Sequence, residues 1–257
     1  MVTLQLDGHR IPGIRLAIFD KDGTLMELYH YWAQMVELRA SLLRDGLGLS
    51  AAQEEGLILA MGVDREKGRL RPEGPVGIKK REVVMQAAVD SLRAAGFGDR
   101  TGLCISAFDE ADRISSGDLR RYIRPIPGAR ELLAALAEGG CRNAIATTDR
   151  TARATLALEY LGFSGLVDLV VGADMVREAK PDPAMIRVIL GKLGAGKEES
   201  VMVGDAVTDV QMGVNAGLAA SIGVRSGLTP GEELARYTPY VVDDVSVIQV
   251  TDGGSRR

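Results

Sequence analysis

Apolar residues follow two different rhythms along this chain. Residues 16–19 (LAIF), 143–146 (NAIA), 169–171 (LVV), 201–203 (VMV) and 240–242 (YVV) are short, mostly apolar runs. That is the pattern of strands buried on both faces. Between the later runs the period becomes helical: 129–137, closed by Gly139-Gly140, then Ala154, Leu158 and Leu161, then 184–193, then Val210 and Val214 leading into AASIGV. The alternation predicts a parallel sheet covered by helices on both faces. From about residue 26 to 123 the character changes to helix and no strand is expected. Tyr31, Met35, Leu38 and Leu42 recur at helical spacing, as do Val84, Ala88 and Leu92, and then Leu103, Ala107, Ala111 and Ile114. The charged, Gly- and Pro-rich stretch 64–82 reads as a loop. Asp7-Gly8 marks a turn between two β-prone runs, and the tail DGGSRR reads as disordered. The expected fold is α/β: a doubly wound, Rossmann-like parallel sheet core from 1–25 and 124–257, with an inserted all-α cap domain at 26–123.

Composition narrows the partners. The chain is 46% hydrophobic and 26% charged, with a net charge of −4, so no basic excess points to nucleic acid or a membrane surface. Aromatics are 4% with one tryptophan, Trp32, which argues against a β-sandwich and against a base-stacking platform. Cys104 and Cys141 form no CxxC pair and read as free thiols of a reducing compartment. With no long apolar stretch at the start and none long enough to span a bilayer, the expected location is cytoplasmic.

In open α/β sheets, function collects at the carboxyl ends of the strands. The first strand ends in Asp20, Asp22 and Thr24, and the second in Thr147, Thr148 and Asp149. The third is followed by Lys180 in AKPDP, and the fourth by Asp205 and Asp209 in GDAVTD. Each has a structural explanation taken singly: DKDG as a turn, the threonines as helix caps, Lys180 as a solvated lysine. Together they put acids, hydroxyls and one lysine along one sheet edge.

These stretches resemble the four motifs of the haloacid dehalogenase superfamily of hydrolases: DKDGTL at 20–25, IATT at 145–148, KPDP at 180–183 and GDAVTD at 204–209. The resemblance covers 14–24 and about 125–245, and GVNAGLAASIGVRSG is similar to phosphoglycolate-phosphatase-like members with a helical cap. It implies a phosphatase that works through an aspartyl-phosphate. Asp20 is then the nucleophile, and Asp22 protonates the leaving oxygen and later activates water. The implied cofactor is Mg²⁺, held by Asp20, Asp205 and the backbone carbonyl of Asp22, with Asp209 behind it orienting Lys180 or the metal's waters. Thr147 and Lys180 would bind the phosphoryl oxygens. Thr148, where relatives often carry asparagine, has a backbone role at most. Strand alternation puts Asp20 and Asp22 on one face and turns Lys21 away from both, so Lys21 is expected to take no part.

The implied partner is a small phosphorylated metabolite. The basic residues Arg65, Lys67, Arg69, Arg71, Lys79, Lys80 and Arg81 hint at an anionic leaving group, and His30 is expected to be structural. A phosphomutase of the same superfamily and a receiver-like phosphoacceptor are the alternatives. A dehalogenase is disfavoured, since that chemistry needs neither Asp22 nor the acidic fourth motif. Substrate and oligomeric state are open.

Overall fold

The computed structural model describes residues 1–252. The chain divides into two compact units, one of Met1–Glu27 with the residues from Arg124 onward, the other Leu28–Ile123. The first elements form around Asp7 (φ 41°) and Gly8 (φ 80°). This pair of left-handed residues makes the tight turn joining β1 (Val2–Leu6) to β2 (His9–Ile14). β3 (Leu16–Phe19) comes directly after.

The helical unit contains α1 (Leu28–Leu47), α2 (Ala51–Met61), β4 (Val63–Asp64), β5 (Arg69–Leu70), α3 (Arg81–Ala94) and α4 (Thr101–Gly117). β4 and β5 pair antiparallel, so this unit is not free of strands as expected. Two residues on each side are too few to show an alternating pattern in sequence. Val84, Ala88 and Leu92 are buried as predicted. On α1 the buried residues include Met35, Val36, Ala40 and Leu43, whereas Leu38 and Leu42 are only half-buried. α1 packs against both α2 and α4, so its covered surface is wider than a single i, i+4 stripe. Among the buried residues is Arg39, whose Nη2 lies 3.2 Å from Asp112 Oδ1 and whose guanidinium stacks 4.4 Å from the Phe108 ring centre. Four of the seven basic residues of the charged stretch are tied to acids of the same unit: Arg65 to Glu55, Lys67 to Asp64, Arg71 to Glu73, and Arg81 to Asp109 and Asp112. That weakens the case for the stretch as a block of free positive charge.

The remaining elements alternate: α5 (Ala129–Glu138), β6 (Arg142–Ala146), α6 (Thr151–Tyr160), β7 (Leu169–Val171), α7 (Ala184–Leu193), β8 (Ser200–Gly204), α8 (Val207–Ala216), β9 (Ala220–Val224), α9 (Gly231–Leu234), β10 (Tyr240–Val242) and β11 (Gln249–Asp252). Six strands form one sheet in the order β10-β9-β8-β3-β6-β7, with every pair parallel. Leu16 and Ile18 of β3 join Ala144, Val171 and Met202 in a core completed by Met185, Ile186 and Ile189 of α7 and Met212 of α8. Ala17 and Phe19 point to the opposite face and are equally buried, as a strand covered on both sides requires. Burying each such Leu, Ile or Phe stabilises the fold by about 1.5–3 kcal/mol. Val214 of α8 is on the solvent side, 53% exposed, although its spacing from Val210 suggested an inward face.

β11 pairs antiparallel with β1 to complete a three-stranded sheet, β11-β1-β2. Asp252 therefore belongs to a strand, contrary to the expectation for the tail; the rest of that segment, 253–257, lies outside the described residues. No helix among the described residues is long and apolar enough to cross a membrane.

Cys104 and Cys141 are both buried free thiols. Burial raises both, pushing Cys141 up to about 12. Below that pH the thiol stays protonated and unreactive. In the native protein at pH 8, Cys141 is expected to react with a disulfide reagent such as DTNB orders of magnitude more slowly than after unfolding. Two fast-reacting thiols in the native protein would contradict this burial.

Candidate active site

β3 is the strand on which the site is organised. Its register sets Phe19 beside Ile145 of β6 on one side and beside Val203 of β8 on the other. With strands about 4.8 Å apart, the residues just beyond these three share one edge. Asp20, Thr147 and Asp205 occupy those strand ends. The chain runs from β3 outward through β6 and β7, then returns to the other flank of β3 as β8. This is the kind of topological switch point where open α/β sheets form their crevice.

Lys180, on the loop before α7, places its Nζ 2.6 Å from Asp20 Oδ1 and 2.7 Å from Asp209 Oδ1. Asp209 sits in the first turn of α8, and its Oδ2 accepts the Ala206 N–H at 3.0 Å. Carboxylate oxygens of Asp20, Asp205 and Asp209 lie within 4.8 Å of one another, and all three residues are buried. Thr24, fully buried, donates from Oγ1 to Asp205 Oδ1 at 3.3 Å. Two glycines leave room for Asp205. A Cβ on Gly23 (φ 87°) would stand 2.7 Å from Asp205 Cγ, and one on Gly227 would stand 1.7 Å from its Oδ2. Ser226 closes this side by donating to the Gly23 carbonyl at 2.6 Å.

The charges of this cluster do not balance. The three buried carboxylates meet the single ammonium of Lys180. Burial drives Asp20 up to about 7, with Lys180 opposing and Asp209 and Asp22 adding to the rise. Burial and then the neighbouring Asp20 and Asp209 raise Asp205 well above the usual carboxylate range. For Lys180, burial alone would lower the ammonium, but Asp20 and Asp209 outweigh it and hold it above its ordinary value. A buried, all-oxygen donor set with excess negative charge fits a hard divalent cation.

Thr147 continues β6: its N–H donates to Val171 O at 3.0 Å, and its Oγ1 accepts the Asp149 N–H at 3.1 Å. One lone pair of the hydroxyl is thus engaged, and its O–H remains a donor. Thr148 is exposed. In the helical unit, His30 is half-buried, next to the edge-to-face pair Tyr31–Trp32.

Strand alternation does not extend to residues 20–22. β3 stops at Phe19, and the main chain turns at once: Leu25 and Met26 both donate to Lys21 O, and Gly23 donates to Met26 O. Lys21 is 3% exposed, and its Nζ lies 2.6 Å from Asp22 Oδ1 and 3.7 Å from Asp149 Oδ2. It faces one of the acids it was expected to turn from. Thr24 was visible at the first strand end but without a role. Asp149 was visible at the second strand end, also without a role; Gly227 and Ser226 carried no signal of their own, because their places depend on residues far away in sequence.

A family model described as haloacid dehalogenase-like hydrolase matches residues 14–217. The chain belongs to that family. It is 41% identical over 118 residues to "Probable phosphatase IndB" of Dickeya dadantii, an alignment covering 46% of this chain and 51% of the relative. It is 41% identical over 92 residues to a phosphoglycolate phosphatase of Rhodospirillum rubrum, covering 36% and 38%. The chain thus spans about half or less of the length of these curated relatives. The crystal structure of a "predicted phosphoglycolate phosphatase" from Haemophilus somnus 129PT superposes with a TM-score of 0.66 at 24% identity, covering 91% of this chain and 96% of that one. At that identity the likeness establishes the fold.

Lys180→Met removes the ammonium that lies within hydrogen-bond reach of both Asp20 and Asp209. Leaving buried charges uncompensated is expected to cost about 3–5 kcal/mol. The melting temperature in chelator-treated buffer should fall accordingly, and an unchanged value would contradict the buried ion pairs.

Proposed function

We propose that this protein is a Mg²⁺-dependent phosphatase that hydrolyses a small phosphorylated metabolite through an aspartyl-phosphate. The observation that carries the reading is the cluster of Asp20, Asp205 and Asp209 around Lys180 at the carboxyl edge of the sheet. Asp20 is the nucleophile. Its oxygen bonds to phosphorus while the bond from phosphorus to the leaving oxygen breaks, and that oxygen takes its electron pair and a proton from Asp22. A water then attacks the aspartyl-phosphate. It gives a proton back to Asp22, and inorganic phosphate leaves a regenerated Asp20.

Thr147 donates its free hydroxyl proton to a phosphoryl oxygen, and Lys180 supplies fixed positive charge against the same group. Asp20, Asp205 and the Asp22 carbonyl would hold Mg²⁺, and Asp209 would orient Lys180, to which it is bonded. When bound, the ion offsets the charge of the carboxylates and the incoming phosphate. Phosphoglycolate, the substrate named for the Rhodospirillum relative, is the first compound to test, followed by sugar phosphates, nucleotides and pyrophosphate.

Turnover of p-nitrophenyl phosphate should be measurable, abolished by EDTA and restored by Mg²⁺. Asp20→Asn should reduce it to background; turnover at the parent rate in that variant would overturn the reading. Thr147→Val, which keeps the shape and removes the donor, should lower kcat by about 10²–10³.

A further inference from the structure

Lys21 has no part in this reaction scheme, yet it is one of the most deeply buried charges in the protein. It is 3% exposed, beside the half-buried Asp22, whose side chain is 30% exposed. A lysine rarely accepts such burial unless it is paired, because desolvating an ammonium costs several kcal/mol. Its close partner is Asp22 Oδ1 at 2.6 Å, and Asp149 Oδ2 is 3.7 Å away. Its longer-range partner belongs to the loop after β6, where the Asp149 N–H also holds the Thr147 hydroxyl. Lys21 thus lies between two loops that the reaction needs in step. One carries the proton-transfer carboxylate, and the other carries the hydroxyl that meets the phosphoryl group.

The bond engages only Oδ1 of Asp22. A carboxylate on a turn outside the strand has free rotation about its side-chain torsions, and it loses proton-transfer efficiency if it spends time in other rotamers. An ammonium fixed from beneath, through its own buried stem, restricts those rotamers while the other oxygen stays available.

We infer that Lys21 is a positioning residue that holds the Asp22 carboxylate oriented for proton transfer to the leaving oxygen and ties it, through Asp149, to the loop that bears Thr147. This rests on Asp22 being the proton donor of the proposed reaction. It assigns a role to a residue that lies between the two acids and that the reaction scheme above leaves without one.

The test compares kcat/KM for two substrates, because that constant reports the steps through formation of the aspartyl-phosphate. p-Nitrophenolate leaves without much help from an acid, whereas the alkoxide of glycerol phosphate needs a proton. Lys21→Met keeps the stem and removes the charge. It should lower kcat/KM for glycerol phosphate by about 10-fold or more beyond its effect on p-nitrophenyl phosphate, a part of the 10²–10⁴ that general acid catalysis contributes. Asp22→Asn should show the same skew, larger, and the double variant should be no worse than Asp22→Asn alone. Retained p-nitrophenyl phosphate turnover shows that Lys21→Met is folded. If that variant does not fold, Asp149→Asn, which loosens the other end of the link, should give the same skew in weaker form.

Equal losses on both substrates, or additive losses in the double variant, would overturn the inference, since a purely structural lysine moves both substrates together. A skew in Asp22→Asn with none in Lys21→Met or Asp149→Asn would overturn it while leaving Asp22 as the acid. No skew in Asp22→Asn would remove the role of Asp22 itself, and the inference with it.

Discussion

One ammonium held between two buried carboxylates, with a third carboxylate next to them, is the arrangement on which the rest of this structure turns. Lys180 bonds Asp20 and Asp209 at once, and Asp205 stands within reach of both acids. Such a cluster is costly to bury, and removing Lys180 would leave its carboxylates uncompensated. It persists only if the backbone delivers all four side chains to one point. Asp20 comes from β3, Asp205 from β8, Asp209 from the first turn of α8, and Lys180 from the loop that leads into α7. The core of α7 and α8 packed on β3, β6, β7 and β8 therefore serves the electrostatics directly, since it fixes the two helices against the strands whose ends carry the acids.

The same demand explains where side chains are missing. Gly23 and Gly227 approach Asp205 so closely that a Cβ on either would overlap its carboxylate, and a Cβ on Gly204 would stand 2.3 Å from Asp209 Cβ. These glycines leave space for charge, and one of them, Gly23, also makes the left-handed turn out of the site. Excess negative charge in a space kept clear by glycine has the chemistry of a site for a hard divalent cation.

The strands were legible because each is a run of apolar residues that needs no partner to be recognised, and the run 169–171 coincides with β7. The helix 184–193 coincides with α7 for a similar reason: one face must be apolar over several turns. The small hairpin of β4 and β5 and the closing strand β11 were not legible. Each is defined by its partner more than by its own residues, and β11 gains its identity only by pairing with β1. On α1 the period was right but the covered face was wider, since two neighbouring helices press on it.

The order and spacing of Asp20, Asp22, Thr147, Lys180, Asp205 and Asp209 are properties of the sequence, because each comes after a strand whose apolar pattern is local. Local pattern therefore determined the α/β class and the sheet edge at which Asp20, Lys180, Asp205 and Asp209 meet. It could not determine which way a side chain points once the strand has ended. Alternation holds only while the strand continues, and β3 ends at Phe19, with the chain turning back at Lys21. Tertiary structure alone decided that Lys21 turns back onto Asp22, that Asp149 comes near it from another strand end, and that Gly227 makes room for Asp205. Most of those contacts join residues far apart in the chain, and their energies come from burial and charge that exist only after the sheet has formed.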